Sequence, residues 1–254
     1  MQPATTLFVL VVTHVVGGVA AFGSALLALP LLLLIGWDLQ PAVALVVIVG
    51  LVQALQMTLA TWRGADRKAL VRILVVAGIG IPIGFVVAGL LPERSLGALL
   101  GGLLIAAGAS RLLERRAGRE WSPPRWAMNA LLLAGGVVHG AFGTGGATLT
   151  IYGRYAFRDK EAFRGTLSIM WLILNVFVLA RLLLQGHAGR TVLLAALPGV
   201  PAVILATWAG ERIARRLSRE QFAAAVAVLL CAAGVLTACR SIDMVSLDFF
   251  GARQ

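Results

Sequence analysis

Long apolar runs separated by short basic loops dominate the chain. The runs fall at 5–35, 40–62, 69–91, 94–113, 126–153, 161–185, 190–210 and 219–240. A helix needs about 20 predominantly apolar residues to cross a hydrocarbon core. Eight runs of that order predict an all-α polytopic membrane protein. Little alternation with a period of two favours a helical bundle over a membrane barrel.

Two runs are too long for one span. A continuous helix of about 30 residues extends about 45 Å, against a core of about 30 Å. Runs 5–35 and 126–153 also carry glycine clusters at their middles. Loop charge bears on how they fold. The basic loops are 63–72, 111–125, 154–164 and 211–219. If every run crossed once, two of these loops would face each side, against the tendency of Lys and Arg to stay cytoplasmic. If 126–153 is a hairpin that returns to its own side, all four become cytoplasmic. Treating 5–35 likewise leaves each half with a broken, re-entrant hairpin and three transmembrane helices.

The halves resemble each other. Ala21-Phe22-Gly23-Ser24 recurs as Ala141-Phe142-Gly143-Thr144, and Gly80-Ile81-Pro82 recurs as Gly199-Val200-Pro201. Asp38 to Ala42 falls opposite Asp159 to Ala162. A shared offset of about 120 residues predicts a repeat, and an odd number of crossings per half makes it an inverted-topology repeat. The expected units are a first repeat at 1–113, a cytoplasmic linker at 114–125 around Ser122-Pro123-Pro124, a second repeat at 126–240 and a tail at 241–254.

Composition agrees with a membrane setting: 59% of the 254 residues are hydrophobic and 13% charged, too few charges for a soluble domain of this size. The net charge of +11 is spread over loops rather than gathered in one patch with aromatics, which argues against nucleic-acid binding. Cys231 and Cys239 share the last run at a spacing too wide to pair. The first basic residue is Arg63, so no signal peptide is expected. No metal-ligand spacing, no HExxH and no paired carboxylates occur; neither a catalytic residue nor a cofactor is expected.

Backbone departs from helix at membrane depth only where protein or a water-filled cavity satisfies it, so the two breaks are the candidate substrate site. His139-Gly140-Ala141-Phe142-Gly143-Thr144-Gly145-Gly146 precedes an apolar half-helix, and Phe22-Gly23-Ser24-Ala25 precedes another. Helix N-termini attract anions, and glycines allow amides to turn toward one. The candidate substrate-binding residues are therefore Phe22, Gly23, Ser24, His139, Phe142, Gly143, Thr144, Gly145 and Gly146, with the Ser24 and Thr144 hydroxyls as added donors. Arg164 joins them because it follows the second hairpin closely and a guanidinium holds oxyanions well. Asn175, Gln53 and Gln56 are mid-span polar residues that serve equally as helix glue; Asn175 is kept as a candidate. No Asp or Glu lies deep in any run, although proton- and sodium-coupled carriers commonly use one.

Gly140-Ala141-Phe142-Gly143-Thr144-Gly145-Gly146, followed by Lys160-Glu161-Ala162-Phe163-Arg164-Gly165-Thr166, resembles the second half of the TauE/SafE family of sulfite exporters. Leu26 to Gly36 with Pro41-Ala42-Val43 resembles its opening repeat. The resemblance implies a secondary transporter of the bacterial inner membrane that exports a small sulfur oxyanion, sulfite or an organosulfonate, by alternating access. An anion channel, or a carrier for another small anion such as a carboxylate, is the alternative. A small anionic substrate and the lipid bilayer are the expected partners, with a homodimer left open.

Overall fold

The computed structural model describes residues 3–20, 23–117, 124–157, 160–214, 231 and 234–235. Among the described residues the regular structure is all helix: α1 Pro3–Ala20, α2 Ser24–Leu34, α3 Leu39–Thr61, α4 Arg67–Leu90, α5 Glu93–Ala117, α6 Arg125–Phe142, α7 Gly146–Ala156, α8 Lys160–Leu184 and α9 Arg190–Ala214. A 3-10 turn, Trp62–Gly64, follows α3. Four of these segments, Leu39–Gly64, Arg67–Leu90, Glu161–Leu184 and Arg190–Ile213, are long and apolar enough to cross a membrane. The run at 219–240 lies outside the described residues apart from Cys231, Gly234 and Val235, which are helical; Phe22, Cys239 and the tail at 241–254 lie outside them entirely.

Both over-length runs are broken where the glycines sit. Gly23 (φ 91°) separates α1 from α2, and Gly143 (φ 63°) ends α6 before α7. Left-handed backbone of this kind costs a residue with a Cβ and is open to glycine. In each case the second, 11-residue helix folds back along the first. Just past α2, Trp37 Nε1 donates to Thr6 Oγ1 near the start of α1 at 3.1 Å. On the other side, a Cβ placed on Gly135 of α6 would meet Leu149 of α7 at 2.7 Å.

In lipid there is no water to drive helices together, so close van der Waals packing and interhelical hydrogen bonds must do so. Among the described residues, α4 with α6 and α1 with α9 cross on glycine in this way. Between α4 and α6, Cβ atoms on Gly80, Gly84, Gly136 and Gly140 would each strike backbone of the partner helix: Leu133, Val137, Ala77 and Ile81 respectively. Between α1 and α9, Gly18 meets Thr207 and Gly210 meets Val15 in the same way. Exchanging α1 with α6 and α4 with α9 turns one crossing into the other.

The outward faces are apolar. On α4, Val71, Val75, Ile79, Ile83, Val86 and Leu90 form an exposed stripe at helical spacing, and α9 exposes Leu193, Leu197, Ile204 and Leu205. Such a stripe suits lipid and would be a liability in water. Trp62, Trp126 and Trp208 are exposed at helix ends, with Arg63 and Arg212 stacked 5.4 and 4.1 Å from the Trp62 and Trp208 rings. Aromatic and basic residues of this kind mark the level of lipid headgroups. Contacts join described residues at or beside the basic loops: Arg72 donates to Asn129 Oδ1 at 2.7 Å, Gly64 packs on Glu161, and Arg164 pairs with Glu211 at 3.3 Å.

Candidate functional site

The first turns of α2 and α7 line one cavity, walled on either side by α3 and α8. Gly23, Ser24, Ala25 and Leu26 come from the first break, and Thr144 and Gly146 from the second. Val46, Gly50, Gln53, Ala54 and Met57 of α3 face Ser168, Trp171 and Asn175 of α8. The empty space of the cavity is about 510 Å³ when its open mouth is included.

Neither half-helix has a side-chain cap. The first intrahelical bonds run from Leu27 N to the Gly23 carbonyl and from Leu149 N to the Gly145 carbonyl, each 3.2 Å. A helix leaves its first amides without an i−4 partner; at α7 the Gly145 amide is taken by His139 Nδ1 at 3.3 Å, and the N-terminal ends of both helices border the cavity. No charged side chain lines the cavity among the described residues.

Polar side chains divide into satisfied and unsatisfied groups. Gln53 is a junction. Its Oε1 accepts from Ser24 Oγ at 2.6 Å, while Nε2 donates to Thr207 Oγ1 at 3.0 Å and to the His14 carbonyl at 3.2 Å. The Ser24 hydroxyl proton is thereby used within the protein. In contrast, Thr144 Oγ1, Trp171 Nε1 and Asn175 Oδ1 are buried without a protein partner. Buried polar atoms are nearly always paired, so three in one cavity need an explanation, and a polar ligand supplies one.

The expected site residues fall into two groups. Gly23, Ser24, Thr144, Gly146 and Asn175 line the cavity. His139, Phe142, Gly143, Gly145 and Arg164 do not. His139 is fully buried behind it: Nδ1 accepts from Gly145 N at 3.3 Å, the ring lies 5.4 Å from Trp171, and Nε2 has no partner among the described residues. Phe142 is part of the core, and Gly143 N bonds the His139 carbonyl at 2.7 Å to close α6. Gly145 abuts Gly135, holding α7 against α6. Arg164 sits at the start of α8 with its guanidinium on Glu211. Phe22 lies outside the described residues.

Sequence reasoning missed Trp171 and Ser168, and left Gln53 as glue. Asn175 and Gln53 lie at matching places on α8 and α3, and that symmetry was the available signal for Gln53. Nothing in the sequence distinguishes Trp171 from a core aromatic.

No curated protein and no solved structure matches the chain. The family model described as sulfite exporter TauE/SafE matches residues 6–237, taking in both glycine breaks, both crossings and the cavity between them. The chain thus belongs to the TauE/SafE sulfite exporter family, a family of membrane transporters.

Proposed function

We propose that the protein is a secondary transporter that exports a small sulfur oxyanion across the bacterial inner membrane by alternating access. The observation that carries this reading is the cavity itself: two half-helix N-termini and three residues that each hold a buried, unpaired polar atom line it, with no carboxylate in its lining among the described residues. Family membership supports transport of sulfur anions, and the exposed apolar faces of α4 and α9 support a bilayer setting.

In this reading the halves are inverted repeats, with α1–α2 and α6–α7 as re-entrant hairpins and the basic end of the bundle in the cytoplasm. The matching α1–α9 and α4–α6 crossings support it. The substrate contacts are the first-turn amides of α2, the positive end of the α7 peptide dipoles, the Thr144 hydroxyl and the Asn175 amide. Thr61 to Ser168 at 3.2 Å and Asp66 N to Thr166 Oγ1 at 2.9 Å close the cytoplasmic end in this conformation. Opening that seam exposes the cavity inward, and closing it while the opposite end opens exposes it outward. An anion leaving a negative-inside cell gains about 2.3 kcal/mol per charge per 100 mV, so export proceeds without a coupling carboxylate.

The test is efflux of radiolabelled sulfite from proteoliposomes containing the full chain. Saturable efflux that accelerates under an inside-negative potential is expected. Flux that rises linearly with concentration indicates a channel, and absence of flux rejects the reading.

A further inference from the structure

We propose that the cavity selects for a single negative charge: its ligand is a monovalent sulfur oxyanion, hydrogensulfite or a small sulfonate, in preference to a divalent anion such as sulfate. This rests on the reading of the cavity as the anion site and adds the charge state of its occupant.

The fixed positive charge available is small. Each helix N-terminus carries the equivalent of about half an elementary charge, so the α2 and α7 ends together supply about one. No cationic side chain lines the cavity among the described residues, and the guanidinium of Arg164, about three turns along α8 from Asn175, is held by Glu211 at 3.3 Å. Attraction to fixed dipoles grows in proportion to ligand charge. The cost of stripping water from an ion grows with the square of its charge, so it is about fourfold larger for a dianion. Two half-charges that balance the transfer of a monoanion therefore fall short for a dianion.

Two side chains sharpen the choice. Thr144 is 2% exposed and Asn175 is 6% exposed; Thr144 Oγ1 and Asn175 Oδ1 have no partner in the protein. The Thr144 hydroxyl donates to an oxyanion. The Asn175 amide oxygen accepts the proton that hydrogensulfite carries, whereas fully ionised sulfite would set two bare oxygens against each other. Leu26 and Val46 give the same space an apolar wall, which suits the methyl group of a sulfonate.

The experiment measures thermal unfolding of the purified full chain with methanesulfonate, sulfate and sulfite at a mildly acidic and a mildly alkaline pH. Methanesulfonate keeps one charge throughout and serves as the pH control. Sulfate also stabilises proteins non-specifically by exclusion, so the signal scored is the part abolished by Thr144→Val and by Asn175→Asp. Thr144→Val removes a hydroxyl the fold does not use, and Asn175→Asp is nearly isosteric but anionic. The expected result is a variant-sensitive shift with methanesulfonate at both pH values and with sulfite under acid only. Apparent sulfite affinity should fall about tenfold per pH unit once the dianion predominates, following proton linkage. A variant-sensitive sulfate shift as large as that of methanesulfonate overturns the monovalent assignment and leaves the anion site standing. Absence of any variant-sensitive shift overturns both.

Discussion

Ser24 Oγ donates to Gln53 Oε1 at 2.6 Å, and the same glutamine holds Thr207 and the His14 carbonyl through Nε2. One side chain on α3 thus ties the first half-helix to α1 and to α9. Gln53→Leu leaves the Ser24 and Thr207 hydroxyls unpaired in a buried site, at a cost of about 2–4 kcal/mol. Ser24→Ala should cost about 1 kcal/mol, because only one bond is lost and the glutamine keeps two. Unfolding in detergent of both variants checks the ranking.

The α4–α6 crossing should be intolerant of any side chain larger than hydrogen. A Cβ on Gly136 strikes the Ala77 carbonyl and one on Gly84 strikes that of Val137, so neither contact can be relieved by a rotamer change. Gly136→Val or Gly84→Val is expected to abolish monodisperse protein. Gly78, in the same helix as Gly84, has open space around its Cβ position. Gly78→Ala should fold normally and gain up to about 1 kcal/mol from reduced chain entropy. Size-exclusion profiles of the three variants decide the matter.

Neighbouring glycines of the second break should respond differently. A Cβ on Gly145 runs into the Gly135 carbonyl, whereas one on Gly146 meets side chains of the cavity wall, Leu26 Cδ1 at 3.3 Å and Trp171 Cζ2 at 3.9 Å. Gly145→Ala should therefore pry α7 from α6 and destabilise the fold. Gly146→Ala should fold and weaken anion binding by about tenfold, equivalent to about 1.4 kcal/mol. Titration calorimetry with methanesulfonate reads the second, and thermal unfolding the first.

Arg164 and Glu211 form a partly exposed pair, with side chains 14% and 24% accessible. Such pairs contribute up to about 1 kcal/mol. Arg164→Ala and Glu211→Ala should be alike in stability and should leave methanesulfonate affinity near that of the wild type. Loss of binding in Arg164→Ala alone would put the guanidinium back in the site.

The architecture was legible because membrane span length is a hard limit. Runs 5–35 and 126–153 exceed it, their glycines mark where they break, and the breaks occur at Gly23 and Gly143. The site was legible only in part. Arg164 was drawn into it by closeness along the chain to the second hairpin. Eleven residues of α8 separate it from Asn175, however, or about 16 Å of helix, too far for both to grip one small anion. His139 likewise lies near the break in sequence, yet its ring turns back onto Gly145 N. Trp171 carries an unpaired Nε1 into the same region, but an indole in an apolar run gives no sign of which way it faces. Side-chain direction depends on how α8 packs against α3 and α7, and no local pattern encodes that.

The most direct test of the central claim, that one half-helix from each half contributes to a single anion site, is a methanesulfonate titration of the folded wild type, Ser24→Ala, Thr144→Val and the double variant. Thr144→Val is expected to weaken binding by loss of its hydroxyl donor, and Ser24→Ala to weaken it indirectly, because losing the bond to Gln53 frees the first turn of α2 that borders the same cavity; the two effects should be coupled rather than additive. Wild-type affinity in the double variant, with folding intact, would contradict the account and place the anion elsewhere.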